Sequence, residues 1–371
     1  MEAKWELAVE MLFALLRASL HRKEVETAFF EQATADDWKE CHRLAVMQGV
    51  MALAWDGVSA LPPHLQPAKG LKLKWAMAVE AYEKKYARYC QTIAELSDFY
   101  REHGITTVQL KGVGLSTYYP NPAHREGGDI DIFTYSADKN KLTDTEANLL
   151  ADKLMKEQGI EVDMHSPKHS NFYYKGIPIE NHRTFLDVKW FEVANQVEQL
   201  LKLTLQPQAT DLLEGKVSIL TPSPAFNTLF LAFHSAQHYG DGLAFHHLCD
   251  WAMLVTRHGL QIPDALTDKR FREAILALTE MCNRYLGTSV KVTGGKQLAD
   301  EMIGEIIYPK FSKKDMVPKG KVRIFIYKAK RFFYKHRLNN RILYRPLWKR
   351  IWQSILIHAR KPEIIFVPHP K

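Results

Sequence analysis

The chain has 371 residues, of which 46% are hydrophobic and 25% charged, enough to bury a large core and too apolar for wholesale disorder. Its four cysteines, Cys41, Cys90, Cys249 and Cys282, lie far apart with no C-x-x-C pair, which argues against a disulfide framework or zinc ribbon and suits a reducing compartment. The net charge of +8 belongs to one end, because residues 310–371 carry 18 Lys/Arg against 2 Asp/Glu; the mildly acidic remainder does not read as a nucleic-acid binder.

Charges interrupt the apolar stretches at the N-terminus, so no signal peptide is expected. No apolar run reaches the roughly 18–20 residues of a membrane helix. A cytoplasmic protein is expected, with peripheral contact at the inner membrane surface left open.

Apolar residues at helical spacing place a first helix over 4–20, with Trp5, Leu7, Met11, Leu12, Leu15 and Leu16 on its face. A second starts near Thr34, with Asp36 and Asp37 in its first turn, and runs to about Trp55. A long amphipathic helix covers 72–103 and ends at Gly104. The pattern then changes. Ile105–Leu110 is a short β-branched strand, Lys111-Gly112-Val113-Gly114 is a turn into a short helix, and Gly128–Thr134 is a second strand after a Pro/Gly loop. Further on come a helix over 137–158 capped by Ser136, a strand at 160–165, a hairpin around Gly176 and one more strand ending near Lys189. Helices are expected at 223–239, 243–257, 263–281 and 296–304. The predicted organisation is a helical region (1–103), an α/β core (104–192), a second helical region (193–309) and a basic aromatic tail (310–371).

Side chains in a strand alternate faces, so Asp129 and Asp131 project the same way, about 6–7 Å apart. Ile130 and Ile132 point to the opposite face. Two such carboxylates can hold Mg²⁺ ions that bridge phosphate oxygens. An exposed strand with polar alternation would show the same D-x-D, so the pair gains meaning only from the glycine turn and short helix before it.

Leu110-Lys111-Gly112, Tyr119-Pro120-x-Pro122, Arg125 and Gly128-Asp129-Ile130-Asp131-Ile132 resemble a family of uncharacterised nucleotidyltransferases within the polymerase-β-type superfamily. Ile179-Glu180-x-His182, and His234…His238 followed by Leu248-Cys249-Asp250, extend the resemblance over roughly residues 5–255. The superfamily's usual Gly-Ser is Lys111-Gly112-Val113-Gly114 here, and the gap to Asp129 is longer than its norm. The resemblance implies an α+β fold, a small mixed sheet flanked by helical regions. It implies transfer of a nucleoside monophosphate from an NTP to an unidentified hydroxyl or phosphate acceptor, conceivably a sugar or glycolipid, with release of pyrophosphate.

In that reading Asp129 and Asp131 bind two Mg²⁺, or Mn²⁺. Glu180 is the third carboxylate or base, with Asp187 as runner-up. Lys111, Gly112, Gly114, Arg125, Gly128 and His182 form the nucleotide and phosphate site. Tyr118 and Tyr119 either stack on a base or pack the short helix on the sheet.

His234 and His238 lie one helical turn apart, with His246, His247 and Asp250 on the next helix. They form either a polar seam lining a substrate cleft or a metal centre of His234, His238 and Asp250 in a phosphohydrolase. The tail interleaves Phe325, Phe333, Trp348 and Trp352 with Lys and Arg. It reads as a packed helical subdomain, a membrane contact, or, less readily, a nucleic-acid contact. A non-catalytic membrane-associated scaffold is the remaining alternative.

Overall fold

The computed structural model describes residues 6–240, 242–311 and 320–360. Trp5 of the first helix, and 312–319 and 361–371 of the expected tail, lie outside them.

The N-terminal region is helical: α1 (Leu7–His21), α2 (Ala28–Glu31), α3 (Ala35–Met47), α4 (Met51–Ala60) and α5 (Lys69–Glu102). Thr34 opens α3 with a reciprocal cap, its hydroxyl taking the Asp37 N–H at 3.2 Å while the Asp37 carboxylate takes the Thr34 N–H at 2.9 Å. Such a cap contributes about 1 kcal/mol. The single helix expected from Thr34 to Trp55 is two, because Gly49 turns the chain at φ +65°. Gly57 lets α4 lie against α1, since a Cβ there would stand 2.8 Å from the Leu15 backbone.

The strands are β1 (Ile105–Gln109), β2 (Ile130–Ser136), β3 (Val162–Asp163), β4 (His169–Tyr174), β5 (Ile177–His182), β6 (Gln208–Leu212) and β7 (Val217–Thr221). They form one mixed sheet in the order β3-β4-β5-β2-β1-β7-β6. The pairs β2/β5 and β1/β7 are parallel and the others antiparallel. Between strands lie α6 (Val113–Ser116), α7 (Asp144–Glu157) and α8 (Ala194–Thr204). After the sheet come α9 (Pro224–His238), α10 (Phe245–His258), α11 (Lys269–Tyr285), α12 (Lys296–Ile307), α13 (Lys321–Ile342) and α14 (Leu347–Arg360). The fold is α+β, with a mixed sheet between helical regions.

Several local expectations shift. The helix expected at 137 begins at Asp144, capped by Thr143 and Glu146; Ser136 ends β2 and its hydroxyl turns the chain by bonding Asp138. The strand expected at 160–165 shortens to two residues, because the Asp163 carboxylate takes the His165 N–H at 2.9 Å and turns the chain. No strand ends at Lys189, whose N–H closes a turn on the Asp187 carboxylate at 3.3 Å. The sheet also continues past residue 192 through the β6–β7 hairpin, which pairs with β1.

The two faces of the sheet differ as the alternation requires. Ile130, Ile132, Ile177 and Ile179 pack with Ala147, Ala151 and Met155 of α7 and with Ile93 and Leu96 of α5. Val108, Leu110 and Phe133 face the other way, toward a core shared with Phe185, Phe226 and the N- and C-terminal helices. Asp131, Glu180 and His182 belong to this second face.

Candidate active site

Parallel pairing of β2 with β5 sets Asp131 beside Glu180 and Phe133 beside His182. The Asp131 carboxylate is fully buried. Its Oδ1 lies 3.0 Å from Nε2 of His182 and 3.2 Å from Nζ of Lys111, while Oδ2 has no hydrogen-bond partner among the described residues. Burial alone would raise the Asp131 pKa; Lys111 and His182 outweigh it and hold the group ionised, well below the usual carboxylate range. Glu180 stands 3.6 Å from His182 Nε2 and 3.8 Å from His169 Nε2. Its pKa is likewise lowered, burial being overcome chiefly by the bond to His182.

Asp129 immediately precedes β2 and lines an open cleft. Burial, together with the charges of Asp131 and Glu180, raises its pKa despite Lys111. Two aspartates two residues apart thus meet opposite environments. The deep one is neutralised by two basic side chains, and the shallow one is strained by its acidic neighbours.

The cleft has a volume of about 480 Å³. One wall is Lys111, Gly112 and the loop 125–129; the other is His234, His238, His246, His247 and Asp250 from α9 and α10. Gly112 adopts φ +64°, a conformation that disfavours any side chain. Gly114 answers to packing: a Cβ there would meet Thr221 at 3.1 Å and Gln109 at 3.2 Å. Gly128 is exposed at the cleft edge, its carbonyl held by the Tyr89 hydroxyl at 2.9 Å. The loop before β2 is pinned by His124, whose ring bridges Glu83 of α5 at 3.0 Å and Asp56 of α4 at 2.8 Å.

Two expected roles change with these contacts. Arg125 grips Asp250 through Nη2–Oδ2 at 2.7 Å and Nε–Oδ1 at 3.1 Å, and the Tyr119 hydroxyl donates to the same carboxylate at 2.6 Å. Arg125 therefore clasps the two walls together, and Asp250 is taken out of the histidine cluster. His182 is wholly buried against Asp131 and Thr184 O and does not line the cleft. Tyr119 packs in the core, and Tyr118 bonds Asn227 at 3.2 Å beneath the Arg257 guanidinium.

Among the described residues, two groups of His/Asp/Glu bring ligand atoms within 4.8 Å of one another: Asp131, Glu180 and His182 on the sheet, and His234, His238 and His247 on the helical wall. Burial holds His234 and His247 well below the usual histidine range, so both are neutral at pH 7. Lys168 and His169, which the sequence did not single out, complete the sheet side. The charges of Asp131 and Glu180 act on Lys168, yet burial is the larger effect and lowers its pKa.

No curated protein and no solved structure matches the chain. A family model described as an uncharacterised nucleotidyltransferase matches residues 34–287, which take in the sheet, the acidic cluster and the histidine-bearing helices. That span exceeds half of the chain, and the protein belongs to this family of uncharacterised nucleotidyltransferases.

Proposed function

We propose that the protein transfers a nucleoside monophosphate from an NTP to an acceptor hydroxyl or phosphate, releasing pyrophosphate, by a polymerase-β-type mechanism at Asp129, Asp131 and Glu180. The observation that carries this reading is the register of Asp131 beside Glu180 on parallel strands, next to Lys111, with Asp129 and the glycine turn lining a cleft of about 480 Å³. A triphosphate needs such a basic, glycine-lined approach, and phosphoryl transfer needs positioning and charge more than covalent chemistry.

The residues suit a divalent cation. The unpartnered Oδ2 of Asp131 is a buried anionic acceptor, and the oxygens of Asp129 and Glu180 suit Mg²⁺ or Mn²⁺. Held by these carboxylates, such a cation would supply charge stabilisation for the displacement at phosphorus. Asp131 is the fixed ligand, oriented by His182 and Lys111. Asp129 is the ligand at the cleft surface. Glu180, whose lowered pKa makes it a weak base, fits the role of third carboxylate better than that of proton acceptor. Lys111 and Lys168 supply positive charge for the polyphosphate, and Gly112 and Gly128 let it approach the backbone. His182 positions Asp131, and Arg125 shapes the cleft through Asp250.

The acceptor class is drawn from the far end of the chain. Residues 320–360 hold no Asp or Glu. Phe325 and Phe333 of α13 and Ile355 of α14 line an apolar groove of about 400 Å³, and Trp348 and Trp352 are exposed on α14. No helix among the described residues is long and apolar enough to cross a membrane. A basic surface bearing aromatic side chains suits an anionic bilayer, and a glycolipid acceptor fits that setting. The base of the tail packs on the body through buried Ile342 and Leu343 and through Arg345 over Trp190 at 4.9 Å.

The test is NTP binding and turnover. The purified chain is incubated with each labelled NTP, Mg²⁺ or Mn²⁺ and a glycolipid extract, and label transfer and pyrophosphate are followed. Asp129→Asn and Asp131→Asn should abolish both signals, whereas His238→Ala retains pyrophosphate release. Turnover that survives both aspartate changes and dies with His238→Ala would instead favour a phosphohydrolase centred on the helical wall.

A further inference from the structure

The helical wall of the cleft carries its own cluster. The His234 and His238 rings, one turn apart on α9, have centroids 4.5 Å apart. His247 of α10 closes the triangle, 5.2 Å from His234 and 4.8 Å from His238. One ring nitrogen of each residue lies within 4.8 Å of those of the other two. Ligand atoms about 2.0–2.1 Å from a shared tetrahedral zinc ion stand about 3.3–3.4 Å apart, so the three rings need to close by at most about 1.5 Å to share one.

A polar seam between packed helices would pair its ring nitrogens with protein groups. His234 has no hydrogen-bond partner among the described residues, although it is largely covered. His247 is buried and meets the Ala244 backbone through Nδ1, at 3.3 Å from the carbonyl and 3.2 Å from the N–H. Nδ1 accepts the Ala244 N–H in the metal-free ring; an ion at Nε2 would move the ring proton to Nδ1, where the Ala244 carbonyl can take it. A backbone acceptor of this kind commonly orients a histidine bound to metal. All three histidines line the cleft that also holds Asp129 and Lys111. Lys111 and Arg125 line this cleft together with Asp129, Glu126 and Asp250, so the histidine wall faces charges of both signs.

We propose that His234, His238 and His247 form a binding site for a divalent ion of the zinc class, with three imidazole ligands and a fourth position open to the cleft. Three protein ligands and an open position are the arrangement by which zinc takes an exchangeable oxygen ligand. Imidazole donors favour zinc, cobalt or nickel over magnesium. The ion would sit on the wall facing the sheet carboxylates, where its open position offers a contact for a phosphate or acceptor oxygen. The site stands or falls independently of nucleotidyl transfer, since its ligands share no residue with the acidic group.

The experiment titrates the metal-stripped full-length protein with Co²⁺ and then Zn²⁺. One saturable site with the intense visible bands of low-coordinate Co²⁺ is expected, bleached as Zn²⁺ displaces it, whereas Co²⁺ among the sheet carboxylates would add only the weak bands of six-coordinate oxygen ligation. His234→Ala and His247→Ala should each weaken Zn²⁺ binding by roughly 100-fold or more, a loss at least as large as that from removing an outer-sphere partner. His234→Gln provides a smaller change should the alanine variants not fold, and circular dichroism checks each variant. Asp129→Asn and Asp131→Asn should leave the Co²⁺ bands unaltered. Absence of saturable binding in the wild-type chain overturns the proposal. So does binding that vanishes with the aspartate changes and persists in folded histidine variants.

Discussion

The clasp between Arg125 and Asp250 gives a quantitative test of how the cleft is held. Arg125 presents two donors to Asp250 with both side chains nearly covered, at 11% and 7% exposure, and Tyr119 adds a third bond. Removing one member leaves the other charge buried with little compensation. Arg125 would keep only the Glu126 carbonyl at 3.1 Å. Breaking such a pair costs about 3–5 kcal/mol, whereas replacing both members by apolar groups is often close to neutral. With an unfolding entropy of about 2.1 cal/mol/K per residue, the single losses correspond to a melting temperature lower by about 4–6 °C if the chain unfolds as a unit. Asp250→Ala and Arg125→Ala should both show that drop by circular dichroism at pH 7. The double change Arg125→Met/Asp250→Leu should lose less than either. Tyr119→Phe, which removes one bond to a charged acceptor, should cost about 1.5–3 kcal/mol. Single changes that lower the melting point by less than a degree, or a double change that adds the two losses, would refute the reasoning. An NTP affinity that falls with Arg125→Met but not with Asp250→Asn would return Arg125 to direct phosphate contact.

The two aspartates should part company in stability as well as activity. Asp129→Asn removes a charge raised by burial and acidic neighbours and should stabilise the metal-free protein in urea at neutral pH. Asp131→Asn discards the partner of Lys111 and His182 and should destabilise it; equal shifts of the same sign would count against the assignment. The His124 pKa is raised, since Asp56 and Glu83 outweigh burial. Its contribution to stability is therefore full below about pH 6.5 and lost as pH rises through the folded value. His124→Gln should flatten the alkaline decline of the urea midpoint between pH 5.5 and 8.5, and an unaltered profile would assign that decline elsewhere. The 320–360 surface should sediment with vesicles containing phosphatidylserine and not with neutral ones. Trp348→Ser/Trp352→Ser should weaken that association, and co-sedimentation indifferent to lipid charge would remove the electrostatic argument.

How much of this was legible in the sequence follows from which features are local. That Ile130 and Ile132 turn to the face opposite Asp131 needs only the two-residue period of a strand, and both isoleucines do pack on that other face; that Glu180 stands beside Asp131 depends on the register of β5 against β2, which the period does not give. The Thr34 cap, the long helix ending before Gly104 and the helices after Thr221 also rest on short-range signals. Contacts set by register did not show. Nothing in the spacing of His182 indicates that β5 lies parallel to β2 and brings its ring to Asp131, and Arg125 meets Asp250 across 125 residues. Lys168 and His169 escaped notice because their neighbours come from other strands. The β6–β7 hairpin was missed because β6, on the sheet edge, presents mostly exposed polar residues and lacks a clear apolar face. Ser136 has the chemistry of a helix cap, but the strand runs through it and the true cap is Thr143.

The sheet's acids differ in a way that composition alone would not suggest. A carboxylate with no solvent exposure survives ionised only when cations or hydrogen-bond donors replace its water. Asp131 has Lys111 and His182 on one oxygen and, among the described residues, no hydrogen-bond partner on the other, so its charge is retained and that oxygen keeps its lone pairs. His182 is itself fixed, its Nδ1 lying 3.3 Å from the Thr184 carbonyl, which sets the ring before it meets Asp131. Asp129 has only the charge of Lys111 and a backbone N–H in its favour, which burial and the two acids beside it outweigh. In the proposed mechanism a cation arriving from the cleft would gain most from Asp129, whose charge is the least compensated, and would find its geometry set by Asp131, whose position is the least adjustable. The uneven burial of two residues only one step apart in the alternation is what allows one to anchor and the other to respond.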